Sequence, residues 1–142
     1  MTVSNVFAFD IETVPDVELG RRLHGLEGLS DKQVGYVMQT RQREQTGSEF
    51  LSLEQQRVVA ISVAMRTREG FKAWSLGEPD STEAELVRLF FDAIERYSPT
   101  LVSWNGSGFD LPVLHYRAMR HRVQAHRYWE TGDEEQSFRW NN

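Results

Sequence analysis

Apolar and polar positions alternate from the start of the chain. Val6-Phe7-Ala8-Phe9-Asp10-Ile11-Glu12 is rich in aromatic and β-branched residues and reads as a strand. Thr13-Val14-Pro15-Asp16 breaks that pattern, and Val17 to Leu23 fits a short helix before a loop marked by Gly25, Gly28 and Ser30. Ser30-Asp31-Lys32-Gln33 has the form of a capping box, opening a polar helix to about Gln45. Its apolar face, Val34, Val37 and Met38, is thin, so it lies on the surface or packs on something outside a minimal core, and Thr46-Gly47-Ser48 ends it. Arg57 to Met65 predicts a buried strand, and Gly70 turns it into a returning strand over 71–76, making a hairpin.

Thr82-Glu83-Ala84-Glu85 is a second capping box. Leu86, Leu89, Phe90, Ala93, Ile94 and Tyr97 follow at helical spacing until Ser98-Pro99. Thr100 to Trp104 predicts another short buried strand, Asn105-Gly106-Ser107-Gly108 a tight loop, and Leu111 to about Arg122 a helix with Pro112 in its first turn. The predicted order is strand, helical insertion over 16–50, hairpin, helix, strand, loop, helix, in a single domain spanning 1–142. Such an order gives an α/β fold with a mixed sheet and flanking helices.

Composition narrows the function classes. The 142 residues suit one domain, which at that size buries roughly 68–70% of its unfolded surface. With 39% hydrophobic and 26% charged residues, no apolar run of transmembrane length and no secretory leader pattern, a cytoplasmic location is expected and a membrane role is not. The absence of cysteine excludes disulfides and thiolate metal sites. A net charge of −5 speaks against coating long nucleic acid with a basic surface, but not against gripping one strand end through metal ions.

Asp10 and Glu12 lie two residues apart, so they share one strand face about 7 Å from each other. They repel, and no lysine or arginine on that strand relieves them; hard divalent cations such as Mg²⁺ or Mn²⁺ suit carboxylate oxygens. The same pair also fits a strand end running into solvent. Asp110 stands where the Asn105–Gly108 loop enters a helix; it suits a helix cap, and it also lies where ligands gather in α/β sheets, at the carboxyl end of a strand.

Taken together, Phe9-Asp10-Ile11-Glu12-Thr13 and the later Trp104-Asn105-Gly106 with Phe109-Asp110-Leu111-Pro112 resemble the first and second motifs of the DEDD superfamily of 3′–5′ exonucleases. The strand from Arg57 to Val63 strengthens the likeness to the stand-alone family related to the proofreading exonuclease domain of family-B DNA polymerases. The resemblance spans residues 5 to about 122 and implies a ribonuclease H-like fold. It implies that Asp10, Glu12 and Asp110 are catalytic, metal-ligating carboxylates for two Mg²⁺ or Mn²⁺ ions, with Asp10 bridging them. It also implies that Thr13 and Val14 lie against the terminal nucleotide, and that Asn105 and Phe109 contact the strand near its 3′ end. The implied partner is a single-stranded nucleic acid 3′ end, with DNA as the expected strand.

The same family pattern calls for a third motif, with a fourth carboxylate and a Tyr or His on a later helix. Glu130, Asp133, Glu134 and Glu135 are the late acids, but they sit in what reads as a solvated loop, and the sequence stops at Arg139-Trp140-Asn141-Asn142. The expectation is therefore a chain truncated at its C-terminus, of open activity in isolation, with exposed apolar surface inviting association. The basic run from His115 to Arg122, continuing to His126 and Arg127, fits either steering of phosphate or a solvated helix face. Trp74 and Trp104 read as core, and Phe109 as the aromatic that touches a base. A non-catalytic nucleic-acid-binding module on the same fold is the alternative to an enzyme; a scaffold for protein contacts leaves the paired carboxylates unexplained.

Overall fold

The computed structural model describes residues 4–130. Strand β1 (Val6–Pro15) is followed by helices α1 (Val17–His24) and α2 (Asp31–Thr46), then by a turn of 3₁₀ helix (Leu53–Gln55). Strands β2 (Gln56–Thr67) and β3 (Gly70–Ser75) form the hairpin; α3 (Glu83–Tyr97), β4 (Thr100–Val102), α4 (Asp110–His121) and the short α5 (His126–Trp129) complete the order. The four strands make one mixed sheet in the order β3-β2-β1-β4, with β1 antiparallel to β2 and parallel to β4.

Alternation along β1 decides which face is covered. Phe7, Phe9 and Ile11 are buried, joining Ile61, Val63 and Met65 of β2 under Val87, Phe90 and Phe91 of α3 and Val113 and Leu114 of α4. The Phe90 ring lies 4.9 Å from that of Phe9 and 5.8 Å from that of Phe7. Each fully buried side chain of this kind contributes roughly 1.5–3 kcal/mol. On the opposite face Asp10, Glu12, Ser62 and Ser75 are exposed, so among the described residues α3 and α4 cover one face rather than two.

Three local expectations need correction. The strand over 57–65 is not buried on both faces: Val59 is 42% exposed, and the alternation reverses at a bulge where β1 register shifts between Glu12 and Thr13. The 100–104 strand is shorter and lies at the sheet edge, with Val102 exposed, because only β1 flanks it. Trp104 is 94% exposed, since it follows the end of that strand, whereas Trp74 is half-buried against the core as expected. In α3 the inward stripe runs Leu86, Val87, Phe90, Phe91 and Ile94, which leaves Leu89 outside it. Both capping boxes form, at Ser30 with Gln33 and at Thr82 with Glu85. α2 buries Val34 and Met38 with Leu51 in a second, smaller apolar cluster.

One charged network ties these pieces together. Arg117 of α4 is buried; its Nε and Nη2 donate to the two oxygens of Glu83 at 2.6 Å each, and its Nη1 donates to Asp16 at 2.7 Å. Glu83 also accepts from the Val58 N–H beside the bulge at 2.7 Å and pairs with His121 at 2.8 Å. Asp16, fully buried, caps α1 through the Leu19 N–H. Burial pushes the Asp16 carboxyl up, but the hydrogen bonds from Arg117 and Leu19 and the charges of Arg117 and Arg120 outweigh it and hold the group below its ordinary value. Burial likewise works against the Arg117 cation, and its hydrogen bonds to Glu83 and Asp16 reverse the effect.

Arg117→Met is expected to cost about 3–5 kcal/mol in urea unfolding, because two buried carboxylates lose their cation. A loss under about 1 kcal/mol would mean the network contributes little. Asp16 has a folded pKa below its unfolded one. Its contribution is therefore complete above the unfolded value near 4 and fades as pH falls through the folded value. Acid titration of an Asp16→Asn variant should accordingly show a shallower stability loss than that of the wild type.

Candidate active site

The C-terminal half of β1 presents its acids to solvent. Asp10 and Glu12 are exposed on the open sheet face, and neither makes an ion pair among the described residues. Opposite the step from Glu12 to Thr13 a bulge leaves Val59 of β2 unpaired, an irregularity common beside functional sites.

Asp110 arrives from across the edge of β1. Strand β4 pairs with β1 only as far as Val102 opposite Ala8, which leaves the β1 edge beyond it without a strand. The Asp110 carboxylate takes the hydrogen bond of the Ile11 N–H there. Asp110 is 3% exposed and is the first residue of α4 rather than its cap; Phe109 occupies the cap position without a side-chain bond, which sets aside the simple capping role. Burial, chiefly, raises the Asp110 pKa; repulsion from Asp10 adds to it, against hydrogen bonds from its own N–H and that of Ile11. The fold thus places two carboxylates from distant parts of the chain within electrostatic reach of each other.

Glu12 lies one pleat further along the Asp10 face. Among the described residues no three His, Asp or Glu side chains gather into a ready coordination sphere. All three groups supply hard oxygen donors, and Asp10 and Asp110 repel without a cation between them. In donor chemistry they fit a divalent ion such as Mg²⁺ or Mn²⁺ as a partial ligand set.

The β4–α4 loop is held tightly beside Asp110. Asn105 adopts a left-handed backbone with φ 54°, and its carbonyl accepts from the N–H groups of Gly108 and Phe109, both at 3.0 Å. The Leu111 N–H donates to the Gly106 carbonyl at 2.8 Å. Gly106 is buried, and a Cβ there would overlap Ser103 Oγ, so this approach requires glycine. The Asn105 side chain is exposed. Thr13 is half-buried with its hydroxyl donating to Gln56 Oε1 at 2.9 Å, and Val14 is half-buried opposite Arg57 in the ladder. Phe109 is half-buried, its ring 5.5 Å from that of Phe50.

Two neighbours escaped the sequence. Phe50 lies in the connector between α2 and β2 and Gln56 opens β2, and nothing in their spacing points to the acids; the lone aromatic after Gly47-Ser48 is the one signal for Phe50. The basic run on α4 is largely consumed in folding: Arg117 and His121 bind Glu83, and Arg120 pairs with Glu18 at 2.8 Å. Of the late acids, Glu130 is exposed, while Asp133, Glu134 and Glu135 lie outside the described residues. No helix of the described residues is long and apolar enough to cross a membrane.

Comparison with known proteins agrees with the resemblance seen in the motifs. The family described as "Predicted 3'-5' exonuclease related to the exonuclease domain of PolB" matches residues 48–142, well over half of the chain, including Asp110 but not Asp10 or Glu12. A "DNA polymerase 1" of Sulfurisphaera ohwakuensis is 44% identical over 43 residues, which make up 30% of this chain and only 5% of the polymerase.

Asp110→Asn keeps an acceptor for the Ile11 N–H while removing the charge. In metal-free buffer at neutral pH it is expected to raise Tm by about a few degrees in scanning calorimetry. An unchanged or lower Tm would show that Asp10 and Asp110 do not repel across the site.

Proposed function

This chain belongs to the family of predicted 3′–5′ exonucleases related to the exonuclease domain of PolB, and we propose that it is a metal-dependent 3′–5′ exonuclease. In this reading it hydrolyses phosphodiester bonds at the 3′ end of single-stranded nucleic acid, DNA in the first instance, on a ribonuclease H-like fold. What supports the reading is that the fold brings Asp110, at the start of α4, within electrostatic reach of Asp10 on β1, with no ion pair to either among the described residues.

Asp10, Glu12 and Asp110 would hold the metal. Divalent ions held there would activate a water as nucleophile and neutralise charge on the leaving 3′-oxygen. The other residues position the strand. Asn105 offers an exposed amide beside Asp110 for sugar or phosphate oxygens, and Phe109 a ring edge to a base. The Thr13 hydroxyl is committed to Gln56, so Thr13 and Val14 would wall the terminal nucleotide through apolar atoms and backbone. In a protein of net charge −5, a carboxylate site accepts a polyanion only because bound cations invert the local sign.

The absence of a three-acid cluster among the described residues favours a second reading, a module on the same fold that holds strand ends without cutting them. A 3′-labelled oligonucleotide with added Mg²⁺ or Mn²⁺ separates the two. The enzyme releases nucleotides, and Asp10→Ala or Asp110→Ala lowers the rate at least about a hundredfold. Binding without product supports the module, and undiminished release by either variant removes these residues from the site.

A further inference from the structure

We propose that Phe50 is a substrate-positioning residue, an exposed ring tilted against Phe109 on whose face a base at the 3′ end of the single strand stacks. This deepens the exonuclease reading and rests on it.

The connector after α2 is pinned to the site by an amide. Gln56 is buried; its Oε1 accepts from the Thr13 hydroxyl at 2.9 Å, and its Nε2 donates to the Leu51 carbonyl at 2.9 Å. Leu51 itself is 3% exposed in the smaller apolar cluster. Held from both sides, the backbone next to Leu51 has little freedom, and it sends Phe50 outward. Phe50 is 59% exposed, yet its ring is not adrift: it lies 5.5 Å from the Phe109 ring at an interplanar angle of 56°.

Phe109 in turn occupies the cap position of α4, directly before the buried Asp110. An exposed phenyl ring adds little to folding, since most of its apolar surface stays in water. Placed against the ring that precedes Asp110, it offers what a carboxylate cannot, a face for a nucleobase. Stacking of this kind is tolerant of sequence, because every base has a π-face. It also leaves the reacting phosphate to the acids, so Phe50 acts on binding and register and not on the chemistry.

The test uses a short oligothymidylate ending in 2-aminopurine, with a phosphorothioate at the terminal linkage to slow cleavage, in Mg²⁺. Wild-type protein should bind it and quench the 2-aminopurine emission as the base stacks. Phe50→Ala should weaken binding about tenfold and lose most of the quench, with Tm unchanged, and Phe50→Trp should restore both. If wild type binds and Phe50→Ala matches it in affinity and quench, the inference is wrong while the nuclease reading stands. If wild type neither binds nor quenches, the nuclease reading of the site falls and this inference falls with it.

Discussion

A guanidinium placed out of reach of water is the constraint on which the rest of this molecule depends. Arg117 has its Nε and both terminal nitrogens engaged, and its partners sit on different elements: Asp16 after β1 and Glu83 at the start of α3. Through Glu83 it also reaches the Val58 N–H that the β2 bulge releases from the ladder. Buried charge is costly, and such networks persist where every member is satisfied. No buried side-chain nitrogen or oxygen among the described residues lacks a hydrogen-bond partner. The effect is positional. The end of β1, the start of α3 and the body of α4 cannot shift separately, so the relation between Asp10 on β1 and Asp110 at the start of α4 is set two turns further along that helix, by Arg117.

Asp110 itself works against folding when charged. Asp110 is buried beside a like charge and is stabilised by two backbone N–H groups, not by a cation. Short β4 makes this possible: had it run on past Val102, its own carbonyls would have met the β1 edge where Asp110 now binds the Ile11 N–H. A strand that stops early and a glycine that lets the loop fold close together convert a sheet edge into an anion-bearing recess. Perturbed carboxylates of this kind gather at functional sites, which supports the proposed cation site.

Much of this was legible in the amino-acid order. Period-two alternation gave the two faces of β1, and capping boxes at Ser30 and Thr82 gave the starts of α2 and α3, because these signals are local and depend on few neighbours. Local signals fail where tertiary partners decide. The run from Arg57 to Met65 is apolar enough to suggest burial on both sides, but a bulge divides it and Val59 and Ser62 face outward. Trp104 looks like core by residue type and is bare because the strand before it sits at an edge. The basic run on α4 looked like one charged surface. Helical geometry instead turns Arg117 inward, and its partners lie 34 and 101 residues away in sequence, which no window along the chain can see.

The excursion through α1 and α2 leaves and returns at nearly the same spot. The Asp16 N–H donates to the Gln55 carbonyl at 2.8 Å, so the two stems are clasped just before the polypeptide rejoins the sheet. A loop closed at its base transmits little of what happens at its tip. Lengthening, shortening or exchanging the tip of the excursion, between α1 and α2, would leave the sheet, the recess and Phe50 where they are. This makes the excursion the natural place for the protein to acquire or discard an appendage without retuning its chemistry.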